Sequence, residues 1–566
     1  MKRNLLTLLL TILGGVLSVP TWAQQRSLSQ ASGIARQLQS EIPQFVKQEL
    51  MPVGGNLLSL QIGRQNRAAQ RMPSFAIADQ QPFYVFANEE KGGFVIVAGD
   101  ERMGDVLGYS ENSLFDVADI PAGVADLLLF YARVYAAVQD GYTTPGSVKK
   151  VSWDPVTPII KTQWGQNAPY NAWCPMSGGK RTITGCGATA MAQIMKRWNY
   201  PVSGHGSLSY TTDTDNLDVY FNFDVNSFEW NDMKNAYSSY ESASEVAKLI
   251  YACGVSLAMD YTPDWSASNT LDMAYSLIHV FDYADAVHYN RSYHTGDDWK
   301  AIIQRELSAG RPIVYRGANS KDEGGHIFII DGVTKPGKLH VNWGWNGNSD
   351  GYFELDNLMP TDKNDFRYGH EMVAKISPEA VEAHEDVFYA DEFRAMRKQD
   401  EYGKYVRVEM DNLWCYSNVA CPRDTTTMFE GMIGAALYDL SGNFVRILCG
   451  GGAQVKSLYG FYDWWWYIYD SDSQVEEGVY ILRPVVYSYE YETISPIRTI
   501  QGLTDSCYLI AENGEIRITD SLSDGISSPK TTKKTSTQTY SLDGRRLSST
   551  PQRGVYVRNG KKYLAR

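Results

Sequence analysis

The segment RTITGCGATAMAQIMKRWNYP, residues 181–201, carries the strongest structural and chemical signal in the chain. Pro201 ends a run of apolar residues at helical spacing, which consists of Ala188, Met191, Met195 and Trp198. The spacing predicts a helix with Cys186 at or just before its first turn. A free thiol has a pKa near 8.5, but a helix N-terminus beside an imidazolium lowers it to about 3.5 to 7.5. Cys186 is therefore a candidate nucleophile.

Two other interpretations of this segment compete with that one. Gly185 and Gly187 leave the thiol sterically open, yet free cysteine is among the most buried residue types, so a plain core cysteine is the structural alternative. Gly185, Gly187 and Ala190 also match the loose dinucleotide-binding fingerprint. No clear strand precedes them, and we discount that match.

A cysteine nucleophile needs a base, and His326 is the best candidate among the eight histidines. It stands in EGGHIFIIDGV, residues 323–333, where alternation puts His326, Phe328 and Ile330 on one face of a predicted strand. An imidazole fixed in this way can share a proton with Cys186 and later protonate a leaving amine. The alternative is a core histidine whose hydrogen bonds are satisfied.

Two further segments supply candidate supporting groups. KLHVNWGWNGNSDGYFEL, residues 338–355, offers Asn342, Trp343 and Trp345, since an amide or an indole can hold the second imidazole nitrogen and shield the ring from water. TQWGQNAPYN, residues 162–171, offers Gln166. Its amide could join the Cys186 backbone N–H in an oxyanion hole, where one donor is worth about 3 to 4 kcal/mol.

Taken together, these residues resemble the secreted streptopain-type cysteine peptidases, which have a papain-like fold. The resemblance covers about residues 150–378 and rests on QNAPYN, TGCGATAMAQIMKRWNYP, the MDY of residues 259–261, GGHIFIIDG and HVNWGWNGNSDGYF, in that order.

The resemblance implies a role for each matched residue. Cys186 would be the nucleophile and His326 the general base, and Gln166 would help to form the oxyanion hole. Trp343 and Trp345 would shield the imidazole, and the substrate cleft would be lined by Gly325 and Ser266.

The expected fold class is α+β: a papain-like peptidase domain with an N-terminal α+β prosegment and a C-terminal β-sandwich. The first unit is expected to contain a helix, indicated by helical spacing from Ile34 to Val46, a strand pair in residues 82–101 and an amphipathic helix in residues 120–138. Short aromatic and β-branched runs indicate the sandwich. We expect a signal peptide at 1–23, an inhibitory prosegment at 24–150, the peptidase at 151–378, the sandwich at 385–520, a flexible linker at 521–539 and a basic tail at 540–566.

Both ends of the chain indicate export. Lys2 and Arg3 precede an apolar run too short to span a bilayer, with cleavage expected after Ala23. No later run of eighteen apolar residues is present, so we expect a secreted or cell-surface protein without a membrane span. The tail carries seven basic residues against one acidic residue, a net charge of +6, and a turn at Asn559-Gly560. It resembles the sorting tails of proteins exported by Bacteroidetes-type bacteria, so export machinery is an expected partner.

Composition narrows the remaining classes of function and partner. The 566 residues hold 52 Lys+Arg against 65 Asp+Glu, and the resulting net charge of −13 argues against nucleic acid as a partner. Seven Cys is an odd number, so at least one thiol stays unpaired within the chain. HExxH, CxxC and Gly-x-Ser-x-Gly motifs are missing, and we expect neither a metal nor a cofactor. The expected partners are protein or peptide substrates and the chain's own prosegment as an intramolecular inhibitor.

Two alternative functions stay open at this point. Cys/His pairs also serve acyl transfer and cell-wall peptide hydrolysis on related folds. A secreted adhesin or binder of glycans or host proteins would instead use FYDWWWYIYD, residues 461–470, whose aromatics could stack on sugars. Such a run is more often sandwich core.

Overall fold

The computed structural model describes residues 25–43, 45, 49–53, 81–116, 119–141, 153–317, 325–355, 370–379, 387–416, 429–456, 459–470 and 474–522, and the backbone of 539–541, 546–547, 554–558 and 561–565. The predicted signal peptide, most of the expected linker at 521–539 and the predicted turn at Asn559-Gly560 lie outside these residues. The segment boundaries expected from the sequence therefore stay predictions.

The described part of the amino-terminal unit contains two helices and four strands: α1 (Leu28–Glu41), β1 (Met51–Pro52), β2 (Phe83–Ala87), β3 (Phe94–Ala98), β4 (Val106–Ser110) and α2 (Ala122–Gln139). Ser27 begins α1 with a capping box, in which its Oγ accepts from the Gln30 N–H at 3.3 Å. The helix ends at Glu41, several residues before the predicted end, and Val46 is outside the described residues. Strands β2 and β3 are buried throughout, as expected for the strand pair at the centre of this unit.

Within residues 153–317, 325–355 and 370–379, the central unit contains four helices and twelve strands. The helices are α3 (Cys186–Trp198), α4 (Ser244–Ser256), α5 (Thr270–His279) and α6 (Gly296–Ser308). The strands are β5 (Met176–Ser177), β6 (Lys180–Arg181), β7 (Ser207–Thr211), β8 (Asp218–Asn222), β9 (Asp260–Tyr261), β10 (Ser266–Ala267), β11 (Asp285–Asn290), β12 (Ile313–Gly317), β13 (His326–Val333), β14 (Leu339–Asn342), β15 (Gly351–Phe353) and β16 (Glu371–Ser377).

One ten-stranded sheet runs through both units, in the order β1-β2-β3-β4-β15-β14-β13-β12-β16-β11. The two units meet where β4 pairs antiparallel with β15, with Tyr109 opposite Tyr352 and their rings stacked at 5.2 Å. Helix α3 lies against β13, since a Cβ added to Gly187 would sit 3.3 Å from Ile327 Cδ1. Helix α2 lies against the neighbouring side chain His326. Because successive side chains of a strand point to opposite faces, the two helices cover opposite faces of β13.

The carboxy-terminal part is a β-sandwich, as expected. Its strands are β17 (Val387–Ala390), β18 (Phe393–Asp400), β19 (Gly403–Tyr416), β20 (Phe429–Tyr438), β21 (Phe444–Val455), β22 (Gly460–Tyr469), β23 (Gly478–Ser488), β24 (Thr493–Pro496), β25 (Arg498–Thr499), β26 (Cys507–Glu512) and β27 (Glu515–Thr519). They form a five-stranded sheet, β18-β19-β17-β25 with β22 beside β19, and a six-stranded sheet, β21-β20-β23-β26-β27 with β24 beside β23. A separate core that includes Val406, Ile433 and Leu509 lies between the sheets.

The sandwich packs directly on the central unit. Tyr389 of β17 is fully buried, with ring centroids 4.4 Å from Tyr293 and 4.8 Å from Trp414. Its hydroxyl lies 3.5 Å from His294 Nε2, and the Gln501 N–H donates to the Ser292 carbonyl at 2.7 Å. The sandwich and the central unit therefore share part of one core.

The last segment contains four backbone-paired strands, β28 (Thr539–Ser541), β29 (Arg546–Leu547), β30 (Gly554–Arg558) and β31 (Lys561–Ala565), in the order β29-β28-β30-β31. Of the helices in the described part of the chain, none has both the length and the apolar character of a membrane span. The six cysteines at described positions are all free thiols: Cys174, Cys186, Cys253, Cys415, Cys449 and Cys507. Cys421 lies outside those positions.

Candidate active site

Cys186 is the first residue of α3, as the sequence predicted. Gly185 caps the helix with φ 82°, a left-handed conformation that favours glycine, and a Cβ there would lie 2.6 Å from Met259 Sδ. The Ile327 N–H donates to Cys186 Sγ at 3.4 Å. The thiol is therefore held between the start of a helix and the strand that carries the candidate base.

His326 is the first residue of β13 and is 5% exposed. Its ring hydrogen-bonds to the Cys186 side chain, and its Nε2 lies 3.3 Å from the Trp343 carbonyl oxygen. The ring is thus held by two partners, the thiol and the main-chain carbonyl. This arrangement fixes the plane of the ring between β13 and the residue after β14.

The electrostatics of the pair favour a charged thiolate and imidazolium. Burial alone opposes ionisation of Cys186, but the charge and hydrogen bond of His326, with the N–H groups of Ile327 and Gly187, hold the pKa of the thiol below its usual value. Burial likewise disfavours imidazolium, but Cys186, the Trp343 carbonyl and Asp126 raise the pKa of His326 above its usual value. Each group therefore stabilises the charged form of the other.

Among the described contacts, the Asn342 side chain is hydrogen-bonded to groups other than His326. Its Oδ1 accepts from Gln193 Nε2 at 3.0 Å and from the Gly344 N–H at 3.0 Å, and its Nδ2 donates to the Thr162 carbonyl at 2.8 Å. In this latent form the Trp343 carbonyl, and not the Asn342 amide, lies against the imidazole, and the expected orienting role of Asn342 stays a prediction. The Asn342 side chain bonds to Gln193 on α3 instead of to His326. The Gln193 amide is buried and therefore needs hydrogen-bond partners within the protein.

The two predicted shielding tryptophans differ in position. Trp343 is 1% exposed, and its ring centroid is 6.3 Å from that of His326. Its N–H donates to Asp350 Oδ1 at 2.8 Å and its Nε1 to the Ser349 carbonyl at 3.1 Å. Trp345 is only partly buried and donates from Nε1 to Asp119 Oδ2 of the amino-terminal unit at 3.3 Å. Of the two tryptophans, Trp343 is the one with a ring contact to the imidazole among the described pairs, and Phe328 contacts the imidazole as well, with ring centroids 6.5 Å apart.

The remaining predicted residues contact segments next to Cys186 or His326 in the sequence or on the neighbouring strand. Gln166 is 4% exposed, and its carbonyl accepts from the Thr184 N–H at 3.1 Å, two positions before Cys186. Ser266 uses its hydroxyl locally, donating to the Ile183 carbonyl at 2.9 Å, while its own carbonyl lies near Gly185. Gly325 precedes His326 and leaves space for the Arg316 guanidinium, which a Cβ there would meet at 2.9 Å.

The amino-terminal unit covers the site directly. Gly123, in the first turn of α2, packs so closely that a Cβ would lie 2.3 Å from His326 Cδ2 and 2.6 Å from Trp343 Cε3. Asp126 is close enough for its charge to act on the imidazole. Helix α2 therefore closes the approach to His326.

Sequence reasoning missed Gln193, Asp350, Gly123 and Asp126. Gln193 had a usable signal, because it is a polar residue within the otherwise apolar and small-residue face of the helix that follows Cys186. Asp350 had none, since its position in NGNSDG resembles any polar turn. Gly123 and Asp126 act across the interface of two units, which periodicity does not describe.

Two family models match the chain. The Peptidase C10 family matches residues 164–353, and the Spi protease inhibitor family matches residues 43–134. The first match contains Cys186, His326 and Trp343. The second contains most of the amino-terminal unit, including Gly123 and Asp126.

Several known proteins are similar over the same region. Streptopain of Streptococcus pyogenes is 35% identical over 303 residues, which cover 49% of this chain and 75% of streptopain. The thiol protease/hemagglutinin PrtT of Porphyromonas gingivalis is 32% identical over 327 residues, 53% of this chain and 37% of PrtT.

Two solved structures from Prevotella intermedia are also similar. A prointerpain A fragment is 30% identical with a TM-score of 0.48, covering 54% of this chain and 98% of the fragment. Active interpain A is 34% identical with a TM-score of 0.37, covering 39% of this chain and 98% of interpain A. A paired thiol and imidazole under an inhibitor-like helix, in a chain that matches three quarters of streptopain, make this protein a member of the peptidase C10 (streptopain) family, a cysteine endopeptidase made as a zymogen.

Proposed function

We propose that Cys186 is the nucleophile and His326 the general base and acid of this peptidase. The observation that carries this assignment is the contact between the two side chains at the start of α3 and β13, where each raises the charged fraction of the other. The thiolate attacks the carbonyl carbon of the scissile peptide bond and forms a C–S bond. The His326 imidazolium then protonates the leaving amine as the C–N bond breaks.

Hydrolysis of the acyl-enzyme uses the same groups in reverse order. Neutral His326 takes a proton from water, the hydroxide oxygen bonds to the acyl carbon, and the Cys186 thiolate leaves. In both steps the oxyanion would be stabilised by the Cys186 N–H at the start of α3 and by the Gln166 amide. Trp343 would keep water from the imidazole, with Trp345 at the outer rim, and the cleft beside the thiol would be lined by Gly325 and Ser266.

The assignment is tested on the full chain without its predicted signal, as wild type, Cys186→Ala and His326→Ala. We expect wild type to shorten with time and to degrade casein under reducing conditions, while both variants stay full length and inactive. Trp173→Ala, at a tryptophan that is 41% exposed, is a control for unspecific loss of activity. Maturation of isolated Cys186→Ala, with casein digestion at the wild-type rate, would show that the mechanism is wrong.

Export and maturation complete the proposal. A signal peptide at 1–23 would direct the chain to the cell surface or the medium, and the tail at 540–566 would be recognised by export machinery. Self-cleavage between about Thr143 and Thr157 would separate the prosegment from the peptidase. Amino-terminal sequencing of the secreted product tests the signal peptide and the site of self-cleavage. Secretion of a chain that ends before residue 540 tests the role of the tail.

A second candidate function, binding of glycans or host proteins by the sandwich, has one specific observation in its favour. Trp465, Tyr467, Tyr405 and Tyr469 form a continuous row of rings with centroids 4.9 to 5.2 Å apart, and Trp465 is 47% exposed. Arg407 lies over the Trp465 ring at 5.6 Å. Replacement of the exposed aromatics by Ser should weaken retention on glycan or host-protein arrays. Unchanged retention would leave the row as part of the scaffold.

A further inference from the structure

The face of the sheet under α2 forms a pocket beside His326. Its walls from the central unit are Tyr315, Phe328, Trp343 and Leu355, with the imidazole at the rim. The prosegment fills it with Leu127 and Phe130, which are 8% and 7% exposed. A cavity of about 40 Å³ remains. The pocket is therefore occupied by apolar side chains of the chain itself in the latent form.

Strand register gives the position of this pocket relative to the thiol. Gly317 pairs with His326 and Tyr315 pairs with Phe328, so the side chains of Tyr315, His326 and Phe328 share one face of the sheet. Ile327, whose N–H contacts Cys186 Sγ, points to the other face and packs against α3. The pocket thus lies beyond the imidazole, on the side away from the nucleophile.

This position corresponds to one side of the cleaved bond. In the proposed mechanism the scissile carbonyl lies over Cys186 and the leaving nitrogen faces His326. The polypeptide that follows the leaving nitrogen must then pass the imidazole and Trp343. Its first side chains come within reach of the pocket once α2 has left.

We propose that this pocket is a specificity site of the mature enzyme, which binds a large apolar side chain one or two residues after the cleaved bond. The proposal rests on the proposed function, and Leu127 and Phe130 of α2 stand where the substrate side chain would bind.

The chemistry of the walls favours an uncharged apolar group. Phe328 and Trp343 contact each other with ring centroids 4.7 Å apart and supply two faces of the pocket. The Tyr315 hydroxyl is 2.9 Å from His370 Nδ1, so this polar group already has a partner. Burial, with Arg291 and Arg316 nearby, lowers the pKa of His370 to about 3, and His370 adds no positive charge at neutral pH. Apart from His326, whose charge is paired with Cys186, these walls offer no charged partner to a buried substrate charge, which disfavours Asp, Glu and Lys.

The sharpest test separates the two sides of the cleaved bond. The mature enzyme is acylated by one ester substrate, and the acyl group is then captured by glycine amide, leucine amide, phenylalanine amide or aspartate amide in competition with water. The amine nitrogen attacks the acyl carbon, His326 accepts its proton, and the Cys186 thiolate leaves. Because the acyl group is constant, the ratio of aminolysis to hydrolysis reports only on the leaving-group side. We expect leucine and phenylalanine amides to exceed glycine amide by about 10-fold or more, a typical effect of an apolar pocket, and aspartate amide to be poorest.

A second set of substrates covers the next position. Peptides that differ only in the second residue after the cleaved bond are compared by kcat/KM, with Gly, Leu, Phe and Asp at that position. Leu355→Ala should reduce the preference for Leu and Phe over Gly at that position. Leu355→Met preserves the volume of the wall and is the matched control, for which we expect the wild-type preference.

The outcomes are distinct. Equal capture of all four amides together with equal cleavage of all four peptides would overturn the pocket, and so would an apolar preference that is the same in Leu355→Ala as in wild type. Failure of the mature enzyme to cleave any peptide or to form any acyl-enzyme would instead overturn the proposed function.

Discussion

Gln193 on α3 donates a 3.0 Å hydrogen bond to Asn342 at the end of β14, and this bond joins the helix that starts at Cys186 to the strand that leads to Trp343. Gln193 Oε1 also accepts from Thr162 Oγ1 at 2.9 Å and from the Trp164 N–H at 3.2 Å. Both amides are buried, at 0% and 4% exposure, so their partners cannot be replaced by water. The pair therefore acts as a positioning link between nucleophile and base.

A double-mutant cycle tests this link on chains that also carry Cys186→Ala, which prevents self-cleavage. We expect Gln193→Ala and Asn342→Ala each to lower the free energy of unfolding by about 1–3 kcal/mol, since each leaves buried polar partners unpaired. The double variant should lose less than the sum, with a coupling of at least about 0.5 kcal/mol. In active chains, kcat should fall more than KM changes. Additive losses of stability would contradict the link.

The charged pair predicts unusual reactivity of one thiol at low pH. Although burial opposes ionisation of both groups, His326 lowers the pKa of Cys186 and Cys186 raises the pKa of His326, so each shift widens the range of pH that favours thiolate and imidazolium together. Below that range the thiol is protonated, and above it the imidazole loses its charge, so kcat/KM should follow a bell-shaped pH profile.

Alkylation of the mature enzyme by iodoacetamide measures the same pair. At pH 5.5 we expect Cys186 to react and the buried thiols Cys449 and Cys507, whose pKa burial raises to about 12, to stay unmodified. His326→Ala should slow the reaction of Cys186 at least about tenfold, the effect of one pKa unit. Equal rates in the variant and the wild type would contradict the ion pair.

Asp350 predicts a pH dependence of stability. Burial raises its pKa from 3.8 to about 7, although its Oδ1 accepts from the Trp343 N–H. The unfolded chain ionises this carboxyl near pH 4, while the folded chain keeps the proton until about pH 7. Its contribution to stability is thus complete below pH 4 and lost as the pH rises through 7, by an amount of at most about 4 kcal/mol.

Asp350→Asn keeps an acceptor for the Trp343 N–H but has no proton to lose. Thermal unfolding is measured at pH 4 and pH 8 in chains that also carry Cys186→Ala. The loss of stability from pH 4 to pH 8 should be smaller for the Asn variant than for its parent. Asp350→Leu, which removes the acceptor, should be destabilised at both values of pH. The same pH dependence in parent and Asn variant would be evidence against the buried proton.

Gly123 predicts how latency can be weakened without any change in the peptidase. An Ala at this position would drive its Cβ against His326 and Trp343, so α2 must shift away from the site. We expect Gly123→Ala to mature about tenfold faster than wild type, which corresponds to about 1.4 kcal/mol of lost contact. Gly33→Ala in α1, where a Cβ meets nothing within 4 Å, is the matched control. Maturation is measured by following chain size and casein breakdown over time. Equal rates of maturation in both variants would show that the contact of Gly123 with His326 and Trp343 does not restrain maturation.

The shared core of sandwich and central unit predicts that the two unfold together. Tyr389→Ala should lower the free energy of unfolding by about 3–5 kcal/mol, as for other buried aromatic residues. Tyr402→Ala, at a ring that is 77% exposed, should have little effect. The measurement is thermal unfolding on the Cys186→Ala background, observed by peptidase-domain tryptophan fluorescence. An unchanged transition in Tyr389→Ala would mean that the sandwich is independent of the central unit.

The sequence predicted what local pattern determines. Helical spacing and Pro201 located α3 and placed Cys186 at its start, and alternation located β13 with His326 at its beginning. The two strands before and the helix after residue 100 were also found, because each has a short apolar pattern bounded by turn residues.

The sequence did not predict relationships that depend on packing between distant segments. Asn342 was expected at the imidazole because an amide beside a catalytic histidine is chemically sensible, but the buried Gln193 competes for it across 149 positions. The position of Gly123 over His326 depends on the joining of β4 to β15, for which the chain has no local signal. Residue types thus indicated a Cys/His pair, whereas the contact between the His326 ring and the Trp343 carbonyl depends on three-dimensional packing.

The pairing of β4 with β15 has a final consequence for the mature enzyme. Removal of the amino-terminal unit leaves β15 as an edge strand with unpaired backbone groups, the kind of edge that recruits foreign strands and leads to aggregation. β15 is only three residues long, Gly351–Phe353, and two register pairs join it to β4. So short an edge offers a poor template for other chains, and it lets the inhibitor separate after cleavage with the loss of few backbone hydrogen bonds. The brevity of this one strand thus favours both release of the inhibitor after cleavage and, later, resistance of the exposed edge to aggregation.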